Sequence, residues 1–197
     1  MKFKIILLCF ILNYLLFIGN IVRAQTSYHI TTSQGLATNQ LTILIKDHKN
    51  NMWFGSYNGL HKHEGTFVKV YKQSGKDSVS LSSKEMHAVF EDRKGFIWVG
   101  TTGGLDKLNP STGIVQHYNL DLKNKAHVDI GYIVSIFQDD EENIWVSTDA
   151  GLFIVDYKTG VTKQIKENSN SVDAMPDVHL LYKGSVKTTT GIWMFAS

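Results

Sequence analysis

The sequence predicts an all-β fold: a β-propeller of four-stranded antiparallel blades, about three and a half of them, with the ring not closed. Three observations lead there. A segment of nearly twenty residues recurs three times without gaps, at offsets of 45 and 47 residues. Each copy divides into short runs rich in Ile, Val, Phe and Trp, separated by turn residues, with no 3.6-residue helical period. A period of about 45 residues per four-strand unit is that of a propeller blade, which cannot bury both its faces unless neighbours stack beside it.

The copies can be read residue by residue. The first runs from Ile43 through Asp47, Trp53 and Gly59 to Leu60, and the second from Ala88 through Asp92, Trp98 and Gly104 to Leu105. The third runs from Ser135 through Asp139, Trp145 and Gly151 to Leu152. In each, Asp precedes Trp by six positions and Gly follows it by six. A fourth copy opens at His179–Tyr182 and reaches Trp193, and the sequence ends at Ser197. In the second copy the strands are expected at 86–91, 96–101, 105–109 and 114–118. Asp92-Arg-Lys-Gly95 is a turn in which Asp accepts backbone hydrogen bonds and Gly tolerates positive φ. Asn50-Asn51 and Glu142-Asn143 are expected to serve similarly, because Asn tolerates the left-handed region. The blade repeats fall at about 36–72, 81–119, 128–166 and, in part, 172–197, behind an opening strand at 28–34.

Residues 1–24 read as an export signal. Lys2 and Lys4 precede an apolar stretch from Ile5 to Ile18, and Val22-Arg23-Ala24 offers a cleavage point after Ala24. That stretch, at about 1.5 Å per residue, is too short to cross a bilayer core of about 30 Å, so no membrane span is expected in the mature fragment 25–197. Cys9 is the only cysteine, so the mature chain has no disulfide framework and no thiol chemistry. Hydrophobic residues make up 43% of the 197, and charged residues 19%, a composition that suits a packed core. Without Lys2, Lys4 and Arg23 the balance is 17 basic against 18 acidic residues. A near-neutral domain lacking a Lys/Arg cluster is a poor match for nucleic acid or an anionic membrane surface.

The pattern Asp-x-x-Gly/Asn-x-Ile/Met-Trp-Val-Gly-Thr-x-x-Gly-Leu resembles the two-component regulator propeller repeat. Gly35-Leu36-Ala-Thr-Asn-Gln-Leu41, ahead of the first copy, is similar to the segment that commonly opens such sensors. The resemblance covers about residues 28–197. It implies the periplasmic sensor of a hybrid histidine kinase of the Bacteroidetes type, with Tyr28–Ile30 as the strand that later closes a ring. It also implies further blades, a membrane helix, kinase, receiver and DNA-binding modules, a homodimer, and a response to oligosaccharides released from polysaccharides. This sequence stops within the fourth blade, so neither kinase nor DNA-binding activity is assigned to it.

No catalytic residue, metal ligand set or cofactor motif stands out. Trp53, Trp98, Trp145 and Trp193 recur once per blade, which favours packing between blades over a sugar-stacking ring. Asp47, Asp92 and Asp139, each just before a turn, suit a structural role better than paired acid–base carboxylates. Asp139-Asp-Glu-Glu142 reads as a solvated hairpin and not a calcium loop. His61-Lys-His63 puts two imidazoles on one side of a strand, and a surface strand is expected there in preference to a metal site. A ligand surface would form where the loops between second and third strands meet the loops linking blades, at 73–83 and 121–129. Tyr57, Asn58, Thr102 and Asp149 are its candidate contacts. Two other readings remain: the N-terminal part of an exported propeller enzyme acting on glycans, such as a lyase or a quinone-dependent dehydrogenase, or a truncated product without function. Exposed strand edges of an open ring predict that residues 25–197 alone are oligomeric or poorly soluble.

Overall fold

The computed structural model describes residues 30–65, 67–75, 77–120, 132–148, 151–165, 185–188 and 191–194. The export signal, Cys9, Tyr28, the 121–129 loop and Asp149 lie outside them, as does the side chain of Trp193.

Alternating apolar positions and tight turns fold each repeat into a meander. The first sheet is β1 (Leu41–Lys46), β2 (Met52–Ser56), β3 (Gly59–Glu64) and β4 (Phe67–Tyr71). The second is β5 (Met86–Glu91), β6 (Ile97–Thr101), β7 (Gly104–Leu108) and β8 (Val115–Tyr118). The third is β9 (Ile133–Gln138), β10 (Ile144–Thr148), β11 (Gly151–Val155) and β12 (Thr162–Ile165). In all three the strands pair antiparallel in chain order. A two-stranded sheet of β13 (Ser185–Thr188) and β14 (Gly191–Met194) follows, with Val186 opposite Trp193. The three four-stranded sheets are propeller blades. Strand β5 packs between β1 and β9, so the first strand of each blade is the innermost.

The core lies between blades. One buried cluster joins Trp53, Leu60 and Tyr71 of the first blade to Val89, Ile97, Val99 and Leu108 of the second. The other joins Ala88, Trp98, Leu105 and Tyr118 of the second to Ile136, Ile144, Val146 and Phe153 of the third. Trp53 and Trp98 are fully buried, and Trp145, on the outer side of the third blade, is partly exposed and stacks on Phe137 at 5.9 Å.

The repeated Asp and Trp are bonded to each other. Trp53 Nε1 donates to Asp47 at 2.9 Å, Trp98 Nε1 to Asp92 at 2.8 Å, and Trp145 Nε1 to Asp139 at 2.7 Å. The same carboxylates accept the backbone N–H of Asn51, Phe96 and Asn143, closing the turn before β2, β6 and β10. Burial pushes the Asp47 carboxyl up, but hydrogen bonds from Asn51, Trp53 and Lys49 outweigh it and hold the group below the usual carboxylate range.

Four local details differ from the sequence reading or refine it. Of the opening strand at 28–34, residues 32–34 form a single 3-10 turn, closed by Gly35 N donating to Thr32 O and by Gly35 at a φ of 104°. In the third blade the left-handed turn residue is Glu142, at a φ of 71°, and not Asn143. The Asn143 amide is occupied instead, donating to Asp139 at 3.2 Å. The His61-Lys-His63 segment is no surface strand. As the third strand of the blade, β3 is flanked on both edges and covered by residues 36–37, so His61 is fully buried and Lys62 nearly so. Finally, Gly59, Gly104 and Gly151 open the third strands at φ of 120°, 135° and 122°, which is why the repeat needs glycine there.

Neighbouring blades are also fastened to each other on one face, and each blade to its own entering segment on the other. On one face the residue after each turn Asp donates its N–H to the last residue of the next blade's inner strand: His48 to Glu91 at 2.8 Å, and Arg93 to Gln138 at 2.9 Å. On the other face a third-strand side chain accepts an N–H from the segment entering its own blade. His61 Nε2 accepts from Ala37 at 2.9 Å, and Asp106 accepts from Ser82 at 2.7 Å, each 24 residues apart.

Candidate functional site

Each innermost strand carries a β-bulge at the same place. The register skips between Leu41 and Ile43 in β1, between Met86 and Ala88 in β5, and between Ile133 and Ser135 in β9. The extra residues are Thr42, His87 and Val134, which occupy equivalent repeat positions. A bulge leaves one residue out of the ladder and re-aims its side chain. All three line one cleft of about 570 Å3 beside the propeller axis.

The mouth of that cleft is aromatic, with one ring from each blade. Tyr57 comes from the β2–β3 turn, His87 from β5, and Tyr132 from the entry to β9. The Tyr57 and His87 rings meet edge to face at 6.3 Å, and His87 and Tyr132 lie 5.3 Å apart. His87 Nε2 is buried with no hydrogen-bond partner among the described residues. Burial holds the His87 imidazole below its ordinary range, against a smaller upward pull from Glu85, so the ring is neutral at physiological pH. Among the described residues the lining holds no Asp, Glu, Lys or Arg. Such a surface offers ring faces for apolar C–H groups and the hydroxyls of Thr42 and Ser135, with one unpaired ring nitrogen buried beneath it.

Of the residues singled out from sequence, Tyr57 lies at this mouth, half exposed. Asn58 and Thr102 lie against the entering segments. Asn58 Nδ2 donates to Ala37 O at 3.3 Å, and the Thr102 and Ser83 hydroxyls share a hydrogen bond of 2.6 Å. His87 and Tyr132 were not among them. The only sequence signal for His87 is that a bulge position, uniform in place, changes from Thr to His to Val between copies.

A Ser, a His and an Asp also meet at the first-to-second blade linker. Ser82 Oγ donates to Asp106 at 2.5 Å, and His117 Nδ1 lies 2.7 Å from the same Asp106 oxygen and 3.0 Å from Ser82 Oγ. A nucleophilic triad needs the imidazole between Ser and Asp, using both its nitrogens. Here one nitrogen serves both partners, and the group clamps the linker to β7 and β8. Among the described residues, no group of three or more His, Cys, Asp or Glu could hold a metal ion, and no helix is long and apolar enough to cross a membrane.

Comparison with known proteins bears on the repeat and the fold. Residues 80–103, from the entry of the second blade through its β6 turn, match the family model described as two component regulator propeller. No curated protein matches the chain. Two solved structures with the same fold are extracellular domains of putative hybrid two-component systems from B. thetaiotaomicron. One is 19% identical with a TM-score of 0.68, over 89% of this chain and 23% of that one. The other is 22% identical with a TM-score of 0.66, over 86% and 26%. The chain thus spans about a quarter of their length. A virginiamycin B lyase from Staphylococcus aureus also shares the fold, at 16% identity and a TM-score of 0.58, over 90% of this chain and 61% of that one. This chain is a β-propeller whose second blade, over residues 80–103, matches the two component regulator propeller repeat.

Proposed function

We propose that the chain is the exported, ligand-sensing propeller segment of a hybrid two-component receptor, that it responds to oligosaccharides, and that it is itself no enzyme. In this reading residues 1–24 direct export to the periplasm and are cleaved after Ala24. The kinase modules and remaining blades belong to the whole receptor, which works as a homodimer. The family match on the second blade and the extracellular sensor domains that share the fold support the receptor assignment.

The observation that carries the ligand assignment is the Tyr57–His87–Tyr132 mouth, assembled from three successive blades over an uncharged cleft. Aromatic faces suit the C–H faces of a pyranose, and the Thr42 and Ser135 hydroxyls that line the cleft suit its hydroxyl groups. A ligand touching three blades at once biases their relative placement. That placement is the only thing a distant kinase can read, and the bias equals the ligand's differential affinity for the two arrangements.

The test is calorimetric titration of the full chain with cellohexaose, maltohexaose and an oligogalacturonate. A neutral probe should bind and the acidic one should not. Tyr57→Ala and His87→Ala should each weaken binding about tenfold, the loss of about 1.4 kcal/mol. Binding of none of the probes, or equal binding by both variants, refutes the axial site.

A further inference from the structure

We infer that the seam between the first and second blades holds a binding slot for a phenolic ring, on the face opposite the axial mouth's turns. The molecule supplies the comparison. At the second-to-third seam, Tyr157, at the tip of the β11–β12 turn, reaches back into the second blade. Its hydroxyl donates to Asp92 at 2.9 Å, and its ring lies 6.2 Å from Trp98. Lys94 and Lys107 place their ammonium groups 4.1 Å and 4.0 Å from that ring.

The first-to-second seam repeats nearly every wall of this nest. Asp47, Lys49, Trp53 and Lys62 stand where Asp92, Lys94, Trp98 and Lys107 stand, 45 positions on. The β7–β8 turn also has the same hydrogen bonds as the β11–β12 turn. Asn109 Oδ1 accepts from Ser111 and Thr112, as Asp156 Oδ1 accepts from Lys158 and Thr159, and each turn closes with a Gly N–H bond of 2.8 Å. The residue at the tip differs: Pro110 stands where Tyr157 does. The result is a cleft of about 310 Å3 lined by Asp47, Lys49, Lys62, Lys69, Pro110 and Ser111 among others. The difference reaches the glycines too. A Cβ on Gly160 would meet the Tyr118 ring at 3.6 Å, whereas one on Gly113 would meet nothing within 4 Å.

The chemistry of the unfilled nest names its ligand. Lys62 is nearly buried, lies 5.4 Å from the Trp53 ring and pairs with Glu64. Lys69 sits directly opposite Lys62 in the β3–β4 pairing. Cationic side chains paired across two strands, with the Lys69 ammonium already 4.9 Å from the Tyr71 ring, favour the negative face of a further ring placed beside them. The acceptor that Tyr157 uses on Asp92 is taken on Asp47 by the Asn51 amide, at 2.8 Å. An entering phenol therefore exchanges one donor for another on Asp47, and the ring's contact with the two lysines is its net gain.

The test uses the full chain with 15N-labelled tryptophan and p-cresol, the side chain of tyrosine, as probe. A second arm uses the acetylated peptide Asp-Tyr-Lys-Thr-Gly. p-Cresol should produce a saturable shift of the Trp53 indole N–H. Tighter binding of the peptide assigns the slot to a tyrosine of a protein partner, and equal binding assigns it to small phenols. Pro110→Tyr fills the slot from within and should abolish the shift. The sister turn already carries Tyr at that position, so the substitution suits the backbone. Lys62→Met should weaken binding at least threefold while the other indole N–H resonances keep their folded positions. The slot is refuted if p-cresol gives no saturable Trp53 shift, or if that shift persists undiminished in Pro110→Tyr or in Lys62→Met. This proposal is independent of the axial site: neither Tyr57→Ala nor His87→Ala should affect it.

Discussion

Asp92 accepts hydrogen bonds from Lys94 N, Phe96 N, Trp98 Nε1 and Tyr157 Oη, at 2.9, 3.0, 2.8 and 2.9 Å. One carboxylate closes a turn, fixes the orientation of a core indole and anchors the neighbouring blade. Its removal leaves several buried donors without an acceptor. Asp92→Ala should therefore lower stability by about 3–5 kcal/mol in urea unfolding. Asp140→Ala, which breaks the exposed pair with Arg93, should cost less than about 0.5 kcal/mol. The second residue with a measurable signature is His61. Its Nε2 accepts from Ala37, which requires the neutral ring, and burial holds its pKa below the ordinary imidazole value. A lowered histidine pKa means that its contribution is complete above about pH 6.5 and is lost as pH falls, because the unfolded chain then binds the proton first. In paired thermal melts, wild type should outlast His61→Gln at pH 7.5, and the gap should shrink at pH 5. A gap that grows on acidification contradicts the assignment.

Among the elements, the second and inner strands meet closely across each seam. A Cβ on Gly100 would lie 2.5 Å from Ile133 Cγ2 and 2.7 Å from Ile133 Cβ, so β6 admits only glycine where β9 crosses it. Gly100→Ala should cost about 1–3 kcal/mol through displacement of β9, and it should also shift the amide resonances of Tyr132 and His87. Strand positions were legible in the sequence because the Asp, Trp and Gly of each copy mark a turn, a core strand and the next turn at constant spacing. Strands expected at 96–101, 105–109 and 114–118 form at 97–101, 104–108 and 115–118. The axial mouth was not legible in the same way. Tyr57, His87 and Tyr132 are separated by 30 and 45 positions, and a bulge sets the direction of His87 without changing the spacing of the apolar residues around it. The surface reading of His61 failed for a related reason. Period two says which side of β3 a residue occupies, but not that the segment entering the blade folds over that side.

For the molecule as a whole, both buried clusters draw on the second blade, so stability should be greatest there and decline on either side. Native-state hydrogen exchange should find the slowest amides in β6, central in its sheet and fully buried along its length. Outer strands β4 and β12 should exchange fastest among the twelve. Comparable protection in β4 and β6 contradicts a core organised by seams.

The blades also differ in how each closes on its own entry. An imidazole receives the entering chain in the first blade and a carboxylate in the second, and in both the partners lie 24 residues apart. Tandem copies alike enough to trade places invite miswiring as the chain collapses. Each copy closes on the stretch of chain immediately ahead of it with its own kind of acceptor, so a copy that captures another's entering stretch exchanges one acceptor chemistry for the other. The near-identical modules are in this way addressed individually, and assembly order is written into the few positions where the repeats disagree.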